Sequence, residues 1–230
     1  MTDSVARFRI RPDDPMPPIR PGQYLALGLI LDGRIIQRPY STAIATGADE
    51  ELEFLIRLVP NGTFTPLLWD LGVDMRVRIG PPRGSFTRIA GDRRTHLFVA
   101  TGTGLAPFVA MLGALSVEPG RPRAVAIHGV AHLGELAYRK RFEHWQQDGL
   151  VEYVPSISRP EDPINSDWTG RTGRVDAILD DVCNAHGLEP RDTVAYLCGH
   201  PEMIAAAERI LTRRGLPADA IRSEHYWPAG

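Results

Sequence analysis

From Asp92 onward, short apolar runs rich in β-formers alternate with helical stretches, and that rhythm leaves few folds open. Strand candidates at 95–100, 123–128, 151–157 and 193–198 are separated by helical stretches at 105–116, 133–147, 175–185 and 201–214. Such alternation argues for an α/β doubly wound parallel sheet. Its pivot is ATGTGLAPFVAML, from Ala100 to Leu112. Before it, Thr95 to Val99 has the pattern of a buried strand, and after it Leu105, Phe108, Val109 and Leu112 recur at helical spacing. Gly102-Thr103-Gly104 lets backbone come close to a ligand, and the exposed amides of a helix start favour phosphate. A tight turn with no ligand fits that Gly-x-Gly equally well. Other stretches must decide.

The first ninety residues have a different rhythm. A Pro-rich start holds one alternating run, Val5 to Ile10. Gln23 to Leu31, Ile35 to Ala45, Glu51 to Val59 and Met75 to Ile79 follow as strand candidates, with a short helical stretch at Thr63 to Leu71. Short strands with Gly/Pro punctuation, including Asp32-Gly33 as a hairpin turn, predict a small antiparallel β-barrel. The boundary is expected near Gly91-Asp92-Arg93-Arg94, giving a barrel domain at 1–92 and an α/β domain at 93–230.

Bulk composition narrows the function classes. With 230 residues, 23% charged and a net charge of −2, this reads as an ordinary globular chain and not a basic nucleic-acid binder. Cys183 and Cys198 provide neither a disulfide framework, a metal-ligand spacing nor the ligands of an iron–sulfur cluster. Leu97 to Leu115 is uncharged and apolar, but Thr101-Gly102-Thr103-Gly104 and Pro107 interrupt it, so a buried strand and core helix are expected instead of a membrane span. No secretory signal pattern opens the sequence. The expectation is a cytoplasmic protein without membrane attachment or metal site.

Candidate chemistry sits at four places. In Arg38-Pro39-Tyr40-Ser41, Arg and Tyr share one strand face and Ser falls on the other, so a guanidinium and an aromatic ring can meet one ligand. An exposed Arg beside a half-buried Tyr with no ligand is the plainer alternative. Gly62-Thr63-Phe64-Thr65 offers amides and the Thr65 hydroxyl to phosphate oxygens, or a simple N-cap at Thr63. Cys198-Gly199-His200-Pro201 ends an apolar strand at the ligand side of a parallel sheet, though a lone Cys is commonly an inert buried thiol. Glu224-His225-Tyr226-Trp227 is too aromatic for a loose tail and either packs on the core or covers something flat.

Order and spacing of these segments resemble the ferredoxin–NADP(+) reductase family, in its bacterial ferredoxin/flavodoxin reductase form, over nearly the whole chain from Gly22. Ile127-His128-Gly129 and Glu135-Leu136-Ala137-Tyr138 match as well. The resemblance implies FAD and NADP(H) as cofactors. Arg38, Pro39, Tyr40 and Ser41 would hold the flavin: Arg38 on the pyrophosphate, Tyr40 stacked on the ring, Ser41 near the hydride-accepting nitrogen. Gly62, Thr63, Phe64 and Thr65 would complete the cradle, with Tyr226 over the ring's other face and Trp227 supporting the adenine. Thr101, Gly102, Thr103, Gly104, Pro107, Cys198 and Gly199 would line the nicotinamide nucleotide. Ser41, Cys198, Glu224 and Tyr226 would surround the reacting atoms.

Arg159 and Arg174 match the family's 2′-phosphate ligands, while Ala131 stands where a third Arg is usual. NADPH is expected to be preferred, less sharply than with all three. By resemblance the chain passes hydride between NADPH and FAD and single electrons to ferredoxin or flavodoxin, as a monomer. The alternatives are the reductase component of an oxygenase system, an NAD(P)H–flavin reductase, and a redox-inactive interaction module keeping the fold.

Overall fold

The computed structural model describes residues 2–44 and 51–226. Alternation between core and solvent builds the first strands. In Tyr24–Leu31 (β2, following β1 at Val5–Ile10), Leu25, Leu27 and Leu29 are buried, and all three belong to one apolar core. Arg34–Ser41 (β3) pairs antiparallel with β2 across the Asp32-Gly33 turn, in which both residues take positive φ (49° and 74°). That left-handed pair matches the twist of the flanking strands.

Leu52–Arg57 (β4) pairs antiparallel with β1, and a short helix at Thr65–Trp69 (α1) follows. Arg78–Ile79 (β5) adds to the other edge of β2. The result is a two-stranded sheet β1-β4 and a three-stranded sheet β3-β2-β5. An isolated Thr42–Phe54 bridge links them, and Leu25, Leu27, Leu52, Phe54 and Ile56 fill a shared interior. β5 is shorter than the Met75 to Ile79 run predicts, because only Arg78 and Ile79 find partners on β2 and Met75 stays exposed.

The remaining strands are parallel. Thr95–Thr101 (β6) leads through a 3₁₀ turn, Gly102–Leu105, into the helix Ala106–Ser116 (α2). Ala124–Val130 (β7), Arg139–Gln147 (α3), Glu152–Ile157 (β8), Arg171–Thr172 (β9) and Val175–Ala185 (α4) follow. Thr193–Gly199 (β10), Pro201–Arg213 (α5) and Ile221–His225 (β11) complete the chain order. The sheet runs β11-β10-β6-β7-β8-β9. Leu97, Val99, Val125, Ile127 and Leu197 pack against α4 and α5. Phe98 points to the opposite face, stacked 5.2 Å from Tyr196. Burial on both faces explains why these strands read as unbroken apolar runs.

Two departures have local causes. Helix 133–147 is interrupted: Leu133–Glu135 is a 3₁₀ turn, and Tyr138 takes left-handed backbone (φ 58°), so α3 starts only at Arg139. The tail is neither loose nor simply packed aromatic chain, since β11 hydrogen-bonds along β10 from Ala195 to Gly199. Two compact units emerge: one comprises residues up to Arg88 with Ala106–Ala114, and the other Ile89–Leu105 with the chain from Leu115. No helix among the described residues is long and apolar enough to cross a membrane.

Candidate nucleotide-binding sites

The strand order dictates where the parallel sheet opens. From β6 the chain steps outward through β7, β8 and β9, then returns to the other side of β6 as β10 and β11. That reversal of strand order beside β6 leaves a crevice at the carboxyl ends of β6 and β10. Thr101, Gly102, Gly104, Cys198 and Gly199 all lie there.

Backbone approach is unusually close at this point. Gly199 has φ +133°, and a Cβ on it would lie 2.3 Å from Thr101 Oγ1. The same hydroxyl accepts the His200 N–H at 3.0 Å. A Cβ on Gly104 would lie 2.4 Å from the Cys198 carbonyl oxygen and 2.7 Å from Gly199 Cα. Gly104 thus serves backbone-to-backbone packing, whereas sequence alone suggests approach to a ligand. Its effect is to hold the 3₁₀ turn against the end of β10, where the first amides of a helical turn have no intrahelical partner.

His128 fixes the other side of that turn. The ring is fully buried on β7 and its Nε2 donates to the Gly102 carbonyl at 3.0 Å, with Tyr153 Oη 3.4 Å from Nδ1. Burial pushes its pKa from 6.5 to about 4, outweighing the Gly102 bond and the Glu135 charge. The native state therefore holds His128 neutral while an unfolded chain protonates it first. Stability is fully present above pH 6.5 and is lost as pH falls toward 4, by about 3 kcal/mol. Urea unfolding against pH should show that fall, and His128→Gln should flatten it; an unchanged slope would contradict it.

Cys198 is fully buried and pairs in register with Glu224. Burial, reinforced by the Glu224 charge, raises its pKa well above that of a free thiol, against a hydrogen bond with Tyr226. It is a neutral thiol and not a thiolate nucleophile. Tyr226 is held by its N–H donating to the Gly199 carbonyl at 3.0 Å. Thr101, Gly104, Cys198, Gly199, Glu224 and Tyr226 are thus brought together; Pro107 lies in the first turn of α2, and Trp227 falls outside the described residues.

Arg159 and Arg174 follow the carboxyl ends of two neighbouring strands of the same sheet. Parallel pairing sets Ile157 opposite Thr172, so each Arg stands in the loop two residues beyond a paired position on neighbouring strands. Both side chains are exposed, and Arg174 Nε also reaches Asp176 at 3.2 Å. Ala131 follows Val130, which pairs with Ile157, so the missing third Arg would have stood in the same row.

The other unit presents Arg38 and Tyr40 on one face of β3, opposite Leu27 and Leu25. Tyr40 is half-buried, 5.9 Å from the Phe64 ring, and burial pushes its hydroxyl up to about 12 against the Arg38 charge. Arg38 donates to the Gln37 carbonyl (2.9 Å) and Thr63 Oγ1 (3.4 Å), neutral oxygens, and no carboxylate among the described residues pairs with it. Ser41 is buried opposite Tyr24.

Thr65 differs from expectation. Its hydroxyl accepts the Val59 N–H at 2.8 Å and donates to the Val59 carbonyl at 3.2 Å, so it closes the turn and its proton is committed. Gly62 N–H is also taken by Val59 O. No side chain caps α1, Thr63 included, and since Pro66 carries no N–H the amides of Thr65 and Leu67 are what its first turn leaves open. The Arg38 guanidinium, a partly exposed ring and open amides fit a flavin dinucleotide.

Comparisons agree with that geometry. Residues 1–87 match the oxidoreductase FAD-binding domain family and residues 98–209 the oxidoreductase NAD-binding domain family. The chain is 32% identical over 208 residues to ferredoxin–NADP reductase A of Sorangium cellulosum, covering 84% of this chain and 73% of that protein. It is 31% identical over 220 residues to the CDP-6-deoxy-L-threo-D-glycero-4-hexulose-3-dehydrase reductase of Yersinia pestis, covering 93% of this chain. It is also 31% identical over 208 residues to the anthranilate 1,2-dioxygenase electron transfer component of Acinetobacter baylyi, covering 90% of this chain. It spans only 63% and 57% of the length of those last two. In fold it superposes on a Neisseria gonorrhoeae ferredoxin NADP+ reductase holding FAD and NADP (TM-score 0.82, 24% identity, 98% of this chain and 94% of that one). The chain belongs to the ferredoxin–NADP reductase family of oxidoreductases, with one domain that binds FAD and one that binds a nicotinamide nucleotide.

Proposed function

We propose that this protein moves reducing equivalents between NADPH and a one-electron protein carrier, ferredoxin or flavodoxin, as a cytoplasmic monomer. The FAD domain is taken as 1–92 and the NADP(H) domain as 93–230. FAD, when bound, accepts a hydride and releases electrons singly, which is the chemistry that joins the two currencies. What the chain supplies is binding, orientation and exclusion of water.

The observation that carries this reading is the gathering of Thr101, Gly104, Cys198, Gly199, Glu224 and Tyr226 at the opening between β6 and β10. There the 3₁₀ turn would receive the nucleotide's pyrophosphate. Cys198, kept protonated by burial, would offer a small neutral surface to the nicotinamide and not attack it. Arg159 and Arg174 would take a 2′-phosphate from adjacent strands, favouring NADPH. On the flavin side, Arg38 would meet the pyrophosphate, Tyr40 would stack on the ring, and Ser41 would hydrogen-bond at its reacting edge.

A second reading shares every residue: the reductase component of an oxygenase system. The match to the anthranilate dioxygenase electron transfer component favours it, as does Ala131 in place of an arginine. Anaerobic titration of the purified holoprotein with NADPH and with NADH comes first, followed by a screen of ferredoxins, flavodoxins and oxygenase components as acceptors. The expected result is flavin bleaching by NADPH at lower concentration than by NADH, and salt-sensitive transfer to an acidic carrier. Protein that holds no flavin, or that responds only to NADH, would overturn it.

A further inference from the structure

We infer that Asn165 is a positioning residue for nucleotide choice: its side chain sets the spacing between the loop after β7 and the loop after β8, and so holds the backbone of Arg159 where a ribose phosphate is read. This rests on the reading of Arg159 and Arg174 as 2′-phosphate ligands.

Asn165 is 2% exposed, at the end of a 3₁₀ turn spanning Pro163–Asn165. Its amide is fully used. Nδ2 donates to the Ala131 carbonyl at 3.1 Å and to the Arg159 carbonyl at 2.7 Å, while Oδ1 accepts the Leu133 N–H at 2.7 Å. The carbonyls it reaches lie just past strand ends, where the parallel ladder no longer supplies partners. A buried apolar residue of similar size would fill the space equally well, but the Ala131 carbonyl and the Leu133 amide would lose their Asn165 partner and the Arg159 carbonyl would keep only the longer bond from Asp162 N–H at 3.2 Å. What the amide adds is therefore the relative placement of two loops.

Those loops carry the selectivity row. Ala131 and Ser158 follow the Val130–Ile157 pair, and Ser158 N–H donates back to the Val130 carbonyl at 2.9 Å. The charges facing this row are Arg159, Arg174, His132, Asp162, Glu135 and Asp176. Two of the carboxylates are held away from a phosphate by bonds within the loops. Asp162 accepts from Ile164 N–H and pairs with His132 Nε2 at 3.2 Å. Glu135 accepts the Ala131 and His132 amides at 3.1 and 3.2 Å. Arg159 itself is exposed, with a long and many-rotamer side chain, so only its backbone can be placed in advance, and Asn165 is the side chain that does this. Small misplacement of a charged clamp is costly to the bond it makes.

The test is steady-state kinetics and equilibrium binding on the FAD-loaded Asn165→Ala enzyme. KM for NADPH should rise about tenfold with kcat within about twofold, while KM for NADH moves less than about twofold. Binding of 2′,5′-ADP should weaken in parallel and binding of 5′-AMP should not. Asn165→Ser, which keeps a small polar group, serves if the alanine variant folds poorly. Equal losses for both nucleotides, no loss for either, or failure of both variants to fold with FAD would overturn the proposal and make Asn165 a structural residue. Arg159→Ala separates the two layers. If it leaves 2′,5′-ADP binding untouched, the underlying reading of Arg159 fails; if it weakens binding while the Asn165 variants do not, only the positioning role fails.

Discussion

Replacing Gly104 by alanine is expected to weaken NADPH binding by roughly 10- to 100-fold and lower the melting temperature by roughly 3–8 °C, with FAD still bound. The added Cβ would lie 2.4 Å from the Cys198 carbonyl oxygen, 2.6 Å from its carbon and 2.7 Å from Gly199 Cα. All three are backbone atoms, so no rotamer change relieves the clash. Cys198 cannot retreat, because β10 is bonded on one side to β6 and on the other to β11. The 3₁₀ turn must shift instead, and its first carbonyl, on Gly102, is tethered to His128. Strain thus falls on the segment proposed to receive the nucleotide. NADPH titration by flavin fluorescence, with thermal unfolding alongside, measures both effects. Normal affinity in a well-folded Gly104→Ala protein would show that the turn does not touch the nucleotide. Gly113→Ala is the control, since a Cβ there meets nothing within 4 Å.

That contrast shows what sequence discloses here and what it withholds. Helix Val175–Ala185 is legible to the residue because Val175, Ile178, Leu179 and Val182 repeat at helical spacing and all four are buried. β6, β7, β8 and β10 are legible because burial on both faces makes them continuous apolar runs. The start of α3 is hidden, because Tyr138 adopts left-handed backbone that no pattern of apolar residues announces. β11 is hidden because an exposed edge strand alternates only weakly, and its pairing with β10 is a long-range fact.

The sites divide in the same way. Arg38, Tyr40, Thr101 and Cys198 stand out because the proposed contact residues fall in compact motifs. Asn165 gives no local signal, since its partners lie 6, 32 and 34 residues away and are backbone groups that any residue supplies. Thr65 sends a misleading signal. Its hydroxyl sits in a segment that invites phosphate, yet Val59 has already claimed it.

Arg38→Ala is expected to raise the dissociation constant for FAD by roughly 10- to 100-fold, the scale of removing charge-assisted hydrogen bonds to a pyrophosphate. The fold should not suffer. Arg38 is exposed, and its bonds go to the adjacent Gln37 carbonyl and, at 3.4 Å, to Thr63. Their removal leaves no buried group without a partner, so unfolding of the FAD-free protein should be unchanged within about 0.5 kcal/mol. Arg38→Lys should fall between, because an ammonium keeps the charge but cannot place two parallel donors on neighbouring phosphate oxygens. Tyr40→Phe provides the complementary measurement: its hydroxyl is held up near 12 and stays protonated at neutral pH, so stacking survives the substitution. Titrating apoprotein with FAD at two salt concentrations tells these contributions apart. The deficit of Arg38→Ala should shrink as salt rises, since screening weakens the wild-type ion pair, whereas any deficit of Tyr40→Phe should not. If Arg38→Ala binds FAD as tightly as the parent at low salt, the guanidinium does not meet the pyrophosphate, and the face it shares with Tyr40 binds something else.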